Sequence, residues 1–112
     1  MDNSKMAEMI VNTEERTCTL TKNYKVGGEI HRGSVFVAKY PSIIDRITIG
    51  SIRAKLLDGA PQESIDNMTD DFAYMIAFLQ VTLTKAPKWF SLETIEEIDV
   101  LRDLFYSVVN WV

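Results

Sequence analysis

The chain has 112 residues, of which 46% are hydrophobic and 25% are charged, a composition typical of one soluble globular domain. Its net charge of −4 disfavours binding that depends on neutralising nucleic-acid phosphates, and its single cysteine, Cys18, excludes a disulfide within this sequence. Its apolar runs are shorter than the ~20 residues that cross a bilayer. We therefore expect no nucleic-acid or membrane partner and predict a cytoplasmic location.

The first 16 residues are polar, and we interpret residues 1–16 as a flexible N-terminal tail. Within it, Met6, Met9 and Ile10 have the spacing of one or two helical turns. The remaining residues, 17–112, are predicted to form a single domain, because no linker-like or low-complexity segment interrupts them.

Two segments of this domain have the pattern of β-strands. Thr17–Thr21 alternates polar and apolar side chains, which is typical of a half-buried strand. Ser34–Tyr40 is rich in β-branched and aromatic residues and predicts a second strand, with Ile30 belonging either to it or to a short third one. Gly27 and Gly28 lie between them and favour a turn. Because two or three strands are marginally stable alone, the small sheet is expected to pack on helices.

A first helix is predicted after Pro41. Ser42 is a favourable N-cap, and Asp45 follows it by three residues, where its charge complements the helix N-terminus. Gly59 and Pro61 then predict the end of the helix. The apolar stripe expected to face the core consists of Ile44, Ile47 or Thr48, Ile52 and Leu56.

Two further helices follow, separated by Pro87. Phe72–Leu83 is apolar on nearly every side, so this second helix must be buried. The third helix runs to the end of the sequence, and two starts are open: Ser91 can serve as its N-cap, or Thr94 and Glu97 can form a capping box one turn later.

These elements predict an α+β fold of order β-β-α-α-α. A small antiparallel hairpin or meander at the N-terminal side packs on a three-helix domain. The core is expected to centre on Phe72–Leu83, with the stripe of the first helix on one side of it. Three residues of the last helix are expected on the other side: Ile98, Leu101 and Phe105.

No residue pattern in this sequence indicates catalysis, a cofactor or a metal. The only histidine, His31, lies beside a predicted turn and is interpreted as an exposed loop residue, while Cys18 is expected in the core. Glu96, Asp99 and Asp103 share one side of the last helix and are interpreted as a solvated acidic face. A nucleophile needs a base and an orienting group that this sequence does not provide, so we predict that the protein is not an enzyme.

Aromatic residues are concentrated in the last quarter of the sequence, and one small domain is not expected to bury all of them. We therefore predict a partner-binding surface made by Trp89, Phe90, Tyr106 and Trp111, since aromatic residues are favoured as interface anchors. The acidic face is then expected to form its rim and to favour a partner segment that carries lysine or arginine.

Several of these segments are similar to the tail assembly chaperones of long-tailed bacteriophages. The resemblance is carried by Lys39–Arg46 (KYPSIIDR), Lys55–Gly59 (KLLDG), the helix Phe72–Leu83 and Ala86–Phe90 (APKWF), and it extends to the last helix. It implies a noncatalytic protein of the host cytoplasm that binds the tape measure protein and keeps its apolar helical segments soluble. It also implies that tail tube protein is a second partner and that the chaperone leaves the finished tail.

Two expectations about assembly follow. The alternative to a chaperone is a structural phage protein, such as a connector or tail component, that is retained in the virion. In either case we expect a homo-oligomer, because Thr17–Thr21 and Ser34–Lys39 are predicted to expose unpaired strand edges.

Overall fold

The computed structural model describes residues 8–58, 61 and 65–112, which form an α+β fold as expected from the sequence. Its seven elements are, in chain order, β1 (Glu8–Asn12), β2 (Thr17–Val26), β3 (Glu29–Lys39), α1 (Ile43–Leu56), α2 (Asn67–Thr82), β4 (Leu83–Lys85) and α3 (Ile98–Trp111). Every helix in these residues falls short of the length and apolarity that a membrane span requires.

The sheet is an antiparallel meander of four strands in the order β1-β2-β3-β4, rather than the two or three strands expected. The helical turns proposed for the N-terminal tail are wrong at Met9 and Ile10, which pair with Leu20 and Thr19 as part of β1. Residues 1–7, including Met6, lie outside the described residues. The spacing of residues along the chain did not predict β1. A strand is stabilised by pairing with another strand, here β2, whereas a helix is stabilised by contacts within its own segment.

The added strands change which parts of the sheet have unpaired edges. Thr17–Thr21 lies between β1 and β3, and Ser34–Lys39 lies in β3, which pairs with β4 through Val37 and Ala38. The prediction of an exposed edge is therefore wrong for Thr17–Thr21, and within Ser34–Lys39 it is wrong at Val37 and Ala38. The edges of the described sheet are β1 on one side, and β4 with the part of β3 that β4 does not pair with on the other.

Glycines with positive φ shape the β2–β3 hairpin. Gly27 and Gly28 have φ of +58° and +86° and form the two-residue loop between the paired residues Val26 and Glu29. Both angles suit the tight turn that matches the twist of the strands, and L side chains rarely adopt them. Further along β3, Gly33 has a φ of +62° beside an irregularity in the register, and its amide donates to the side chain of Asn23 at 2.7 Å.

Local signals located α1 well. Ser42 is the N-cap of α1, and the predicted complementarity with Asp45 is a full capping box: the Asp45 amide donates to Ser42 Oγ at 3.0 Å, and the Ser42 amide donates to Asp45 Oδ2 at 2.9 Å. Lys39 lies 3.3 Å from Asp45 and strengthens this end of the helix.

The start of α3 differs from both predicted starts. Neither Ser91 nor Thr94 caps the helix; instead, the Thr94 amide donates to the Ser91 carbonyl at 3.4 Å and closes a separate turn. The helix begins at Ile98, after Glu97, which makes no side-chain capping bond. Phe90 and Ile95 both pack against the hydrophobic core from the segment before the helix.

The core lies between the inner face of the sheet and the helices α2 and α3. As expected, α2 is central: Phe78 is 2% exposed, and Leu101 and Phe105 of α3 are buried. The remaining predicted contacts are less well placed, because Ile52 is only half-buried and four other residues are exposed. Those four are Ile44, Ile47, Leu56 and Ile98.

Candidate functional site

Trp89 is one of the four residues predicted to bind a partner, and it is half-buried within the protein. Its ring stacks on His31 with the centroids 4.6 Å apart, and its Nε1 donates to Ser34 Oγ at 3.1 Å. The rings of Tyr24 and Phe36 contact it edge-on at 6.3 Å and 6.2 Å. The interpretation of His31 as an exposed loop residue is wrong, because His31 lies in β3 and is half-buried in this stack.

Phe90 is half-buried on the other side of the same cluster. Its ring is perpendicular to that of Phe36 at a centroid distance of 5.1 Å. Phe90, Ile95 and Val100 contribute apolar walls to a shallow cavity of about 260 Å³ at this end of the molecule. Trp89 and Phe90 thus close the end of the core, while part of each ring faces solvent.

Trp111 lies at the C-terminal end of α3, where it packs edge-on against Tyr40 at 5.6 Å. The Tyr40 hydroxyl donates to the Val112 carbonyl at 3.3 Å, and the Arg16 guanidinium lies 4.1 Å from the centre of the Tyr40 ring. These contacts hold the last turn of α3 against the end of β3, and they account for the half-buried state of Trp111.

Tyr106 alone among the four keeps most of its surface, at 52% exposure, with one edge contact to Phe105 at 5.4 Å. The four predicted residues therefore occupy three separate environments: the Trp89 and Phe90 cluster, the Trp111 contact with Tyr40, and the open side of α3 at Tyr106.

The acidic face predicted as a rim is partly used inside the protein. Asp103 lies 3.1 Å from Lys22 Nζ and accepts a hydrogen bond of 2.8 Å from the Tyr24 hydroxyl. Burial and the nearby Asp103 charge raise the pKa of Tyr24 well above its usual value, so this phenol stays protonated. Glu96 and Asp99 remain exposed.

Two further observations concern the cysteine and the possible metal ligands of the described residues. Cys18 is fully buried in β2, and burial raises the pKa of its thiol, which opposes formation of a thiolate. Among the residues with described positions, no three His, Cys, Asp or Glu side chains are grouped as metal ligands.

Among the large apolar side chains of the described residues, those with the highest exposed fractions lie on α1. The sequence analysis had expected part of this helix in the core. Ile43, Ile44 and Ile47 are 78%, 74% and 67% exposed, and we call these three residues the isoleucine face. The only extensive contacts of α1 are with α2, and they bury Ile49 and half-bury Ile52. Since no other element of the described residues covers α1, its opposite side is exposed in that part of the structure.

An ion pair holds α1 against α2 beside Ile49. The Arg53 Nε donates to Asp70 Oδ1 at 2.6 Å, and a second nitrogen of the same guanidinium contacts the same oxygen. Both side chains are 38% exposed. The pair joins α1 to α2 on the side of α1 that carries Ile49, and the isoleucine face lies on the other side of the helix.

The isoleucine face continues towards the C-terminal half of α1 as small residues. Gly50 and Ala54 are exposed and follow Ile47 at helical spacing. A Cβ placed on Gly50 would meet nothing within 4 Å. Glycine inside a helix costs roughly 1 kcal/mol relative to alanine, and packing within this chain does not require it here.

The isoleucine face could not be identified from periodicity alone. α1 contains isoleucines at positions 43, 44, 47, 49 and 52, which lie on several sides of the helix, so more than one apolar stripe can be drawn. A usable signal was the placement of Arg46 and Arg53 on one edge of α1 beside Ile49, since Arg53 reaches the acidic first turn of α2.

No family model matches this chain, and comparisons with curated proteins and with solved structures find no significant match.

Proposed function

We propose that this protein is a noncatalytic phage tail assembly chaperone that acts in the host cytoplasm. In this proposal it binds the tape measure protein and keeps apolar helical segments of that protein soluble during tail assembly. The observation that carries the proposal is the isoleucine face, since three neighbouring isoleucines at two-thirds exposure or more form an apolar patch of the kind that marks interaction sites.

The isoleucine face suits a helical partner better than the four aromatic residues do. It lies on one helix and offers side chains at i, i+1 and i+4, which fit between the side chains of a second helix crossing it. Fully burying an isoleucine contributes about 1.5–3 kcal/mol, so covering this face stabilises a complex by several kcal/mol before the cost of association. Reversible binding is what a chaperone requires.

The charges beside the isoleucine face predict the sign of the charges on the partner segment. Arg46 and Lys55 are both exposed on α1, on either side of the face. An apolar helix flanked by glutamate or aspartate would complement them and associate faster. A lysine-rich or arginine-rich segment would instead be expected at Tyr106, where Glu96 and Asp99 are exposed.

Co-purification with the tape measure protein tests the proposal. Ile47→Glu places a charge in the isoleucine face and should abolish co-purification, since 67% of this side chain is already in solvent and folding does not depend on it. The matched control is Ile30→Glu, at an isoleucine of β3 that is 55% exposed, and it should leave co-purification unchanged. The assignment of this face would be contradicted if both variants still co-purified with the tape measure protein, or if neither did.

Mass spectrometry of purified virions separates the chaperone from the alternative of a retained structural protein. The chaperone proposal expects the chain in infected-cell lysates and its absence from finished particles. Its presence at a fixed copy number per virion would favour a connector or tail component.

A further inference from the structure

We propose that two copies of this protein pair through α1, antiparallel and about a two-fold axis, and that this pairing covers the isoleucine face until a partner displaces it. The protective role rests on the proposed function, whereas the pairing itself rests only on the shape, charge and exposure of α1.

The exposed side of α1 is complementary to itself. In a two-fold interface, when residue i of one copy contacts residue j of the other, residue j of the first copy also contacts residue i of the second. On α1 the bulky residues Ile43 and Ile47 lie in the N-terminal half, and the small residues Gly50 and Ala54 lie in the C-terminal half of the same side. When the axis passes at the level between Thr48 and Ile49, Ile43 and Ile47 each meet a small residue, and Ile44 lies at the edge of the contact. Ile47 then lies opposite Gly50 of the second copy, and Ile43 lies opposite Ala54 of the second copy.

The described residues give no reason for glycine at position 50, and the proposed pairing supplies one. A Cβ at position 50 would point into open space, and α1 keeps its helical backbone there, so no turn or internal close contact requires glycine. Where a second helix crosses closely, glycine makes room for the isoleucine that faces it. Glycine lowers the stability of the helix at position 50. In the proposed arrangement this position lies opposite Ile47 of the second copy.

The charges of α1 do not oppose the pairing. Arg46 lies at the level of Ser51 of the second copy, and Lys55 lies at the level of Ser42 of the second copy. Arg53 lies two levels from Arg46 of the second copy on the same edge, but its charge is paired with Asp70. The antiparallel orientation also places each helix N-terminus beside the C-terminus of the other copy, which is the favourable arrangement of the two helix dipoles.

The exposed area indicates a weak pair. The three isoleucines together present on the order of 300 Å² of apolar side-chain surface. A stable complex buries about 800 Å² on each partner. The pairing therefore belongs to the transient class, with dissociation in the micromolar range or weaker, which allows an apolar helix of the tape measure protein to replace the second copy.

Sedimentation equilibrium of the full chain over micromolar to millimolar concentrations tests the pairing. We expect a monomer–dimer equilibrium in the wild type. Gly50→Leu should weaken it by at least about tenfold, because the new side chain occupies the space taken by Ile47 of the second copy. Ile47→Glu should weaken it similarly, and Ile30→Glu should not. Because leucine favours a helix, we expect Gly50→Leu to fold. Far-UV circular dichroism checks this by measuring its helical content.

Three results would overturn the inference: a wild type that stays monomeric throughout, association that survives both α1 substitutions, or equal loss in Ile30→Glu. Association that survives would place the contact elsewhere, with β1 as the edge strand to examine.

A separate arm adds a purified apolar helical segment of the tape measure protein, which should dissociate the dimer. A monomeric wild type that still co-purifies with the tape measure protein would reject the pairing alone, whereas a dimer that never binds it would reject the proposed function alone.

Discussion

α1 and α2 are adjacent helices of similar length, 14 and 16 residues, and both are rich in apolar side chains, yet they are buried to very different extents. Only Ile49 of α1 is buried, whereas α2 buries six residues. The difference follows from position: α2 contacts α1 on one side and α3 and β4 on another, while α1 has extensive contacts with α2 alone. Apolar composition shows that a helix needs contacts, and the layers around it decide whether its own chain supplies them.

The largest expected effect compares one residue from each helix. Phe78 is 2% exposed and contacts the ring of Phe105 at 5.4 Å, so Phe78→Ala should lower the free energy of unfolding by about 3–5 kcal/mol. Ile47→Ala removes a side chain that is largely in solvent and should change it by less than ~0.5 kcal/mol. Urea titrations of monomeric protein measure both values. A large loss in Ile47→Ala would mean that α1 is buried more deeply than described.

The buried Tyr24 hydroxyl makes the sheet-to-α3 contact sensitive to alkaline pH. The folded-state pKa of Tyr24 is raised above the ordinary value of 10.0 by burial and by Asp103. A raised pKa contributes stability that is present below the unfolded-state value and is lost as pH rises above it. Melting temperature should therefore fall above pH ~10 in the wild type and fall less steeply in Tyr24→Phe. Parallel curves for the two proteins would contradict this assignment.

Substitution of Tyr24 by phenylalanine should also cost about 1 kcal/mol at neutral pH, because Asp103 loses a hydrogen-bond donor and keeps Lys22 as its partner. The ion pair between Arg53 and Asp70 provides the contrast on the α1 side. Both of its side chains are 38% exposed, so Asp70→Asn should cost below ~1 kcal/mol. A larger loss in Asp70→Asn than in Tyr24→Phe would show that α1 is held more firmly than its contacts suggest.

A further comparison concerns two glycines at which an added Cβ would point into open space. Gly50→Ala should raise the free energy of unfolding by roughly 0.5–1 kcal/mol, because alanine favours a helix and meets nothing within 4 Å. Gly27→Ala should lower it by roughly 1–2 kcal/mol, since its φ of +58° disfavours any L side chain. Loss of stability in monomeric Gly50→Ala would mean that the space at position 50 is filled within the chain.

The sequence predicted the features that depend on neighbouring residues. The N-cap Ser42, the glycine turn at 27 and 28 and the central helix α2 are all set by short-range chemistry, and each was located correctly. β1 and β4 were missed because a short strand is defined by its partner, which lies elsewhere in the sequence.

The candidate site was harder to predict for the same reason. Trp89, Phe90 and Trp111 have the composition of an interface, but tertiary contacts with Phe36, His31 and Tyr40 hold them half-buried in the protein. The isoleucine face has the composition of a core, and it is exposed because no further element packs on α1. Residue type indicates that a side chain needs a contact, and only the arrangement of layers shows where that contact comes from.

The central proposal is that the isoleucine face is uncovered in the free monomer and is covered in a complex with the tape measure protein. Methyl NMR with a paramagnetic agent in solution measures it directly on monomeric protein. The methyl signals of Ile43, Ile44 and Ile47 should broaden strongly when the protein is free and be protected in the complex, while Ile49, at 4% exposure, should be protected in both. Protection of these three isoleucines in the free monomer, or continued broadening in the complex, would contradict the account.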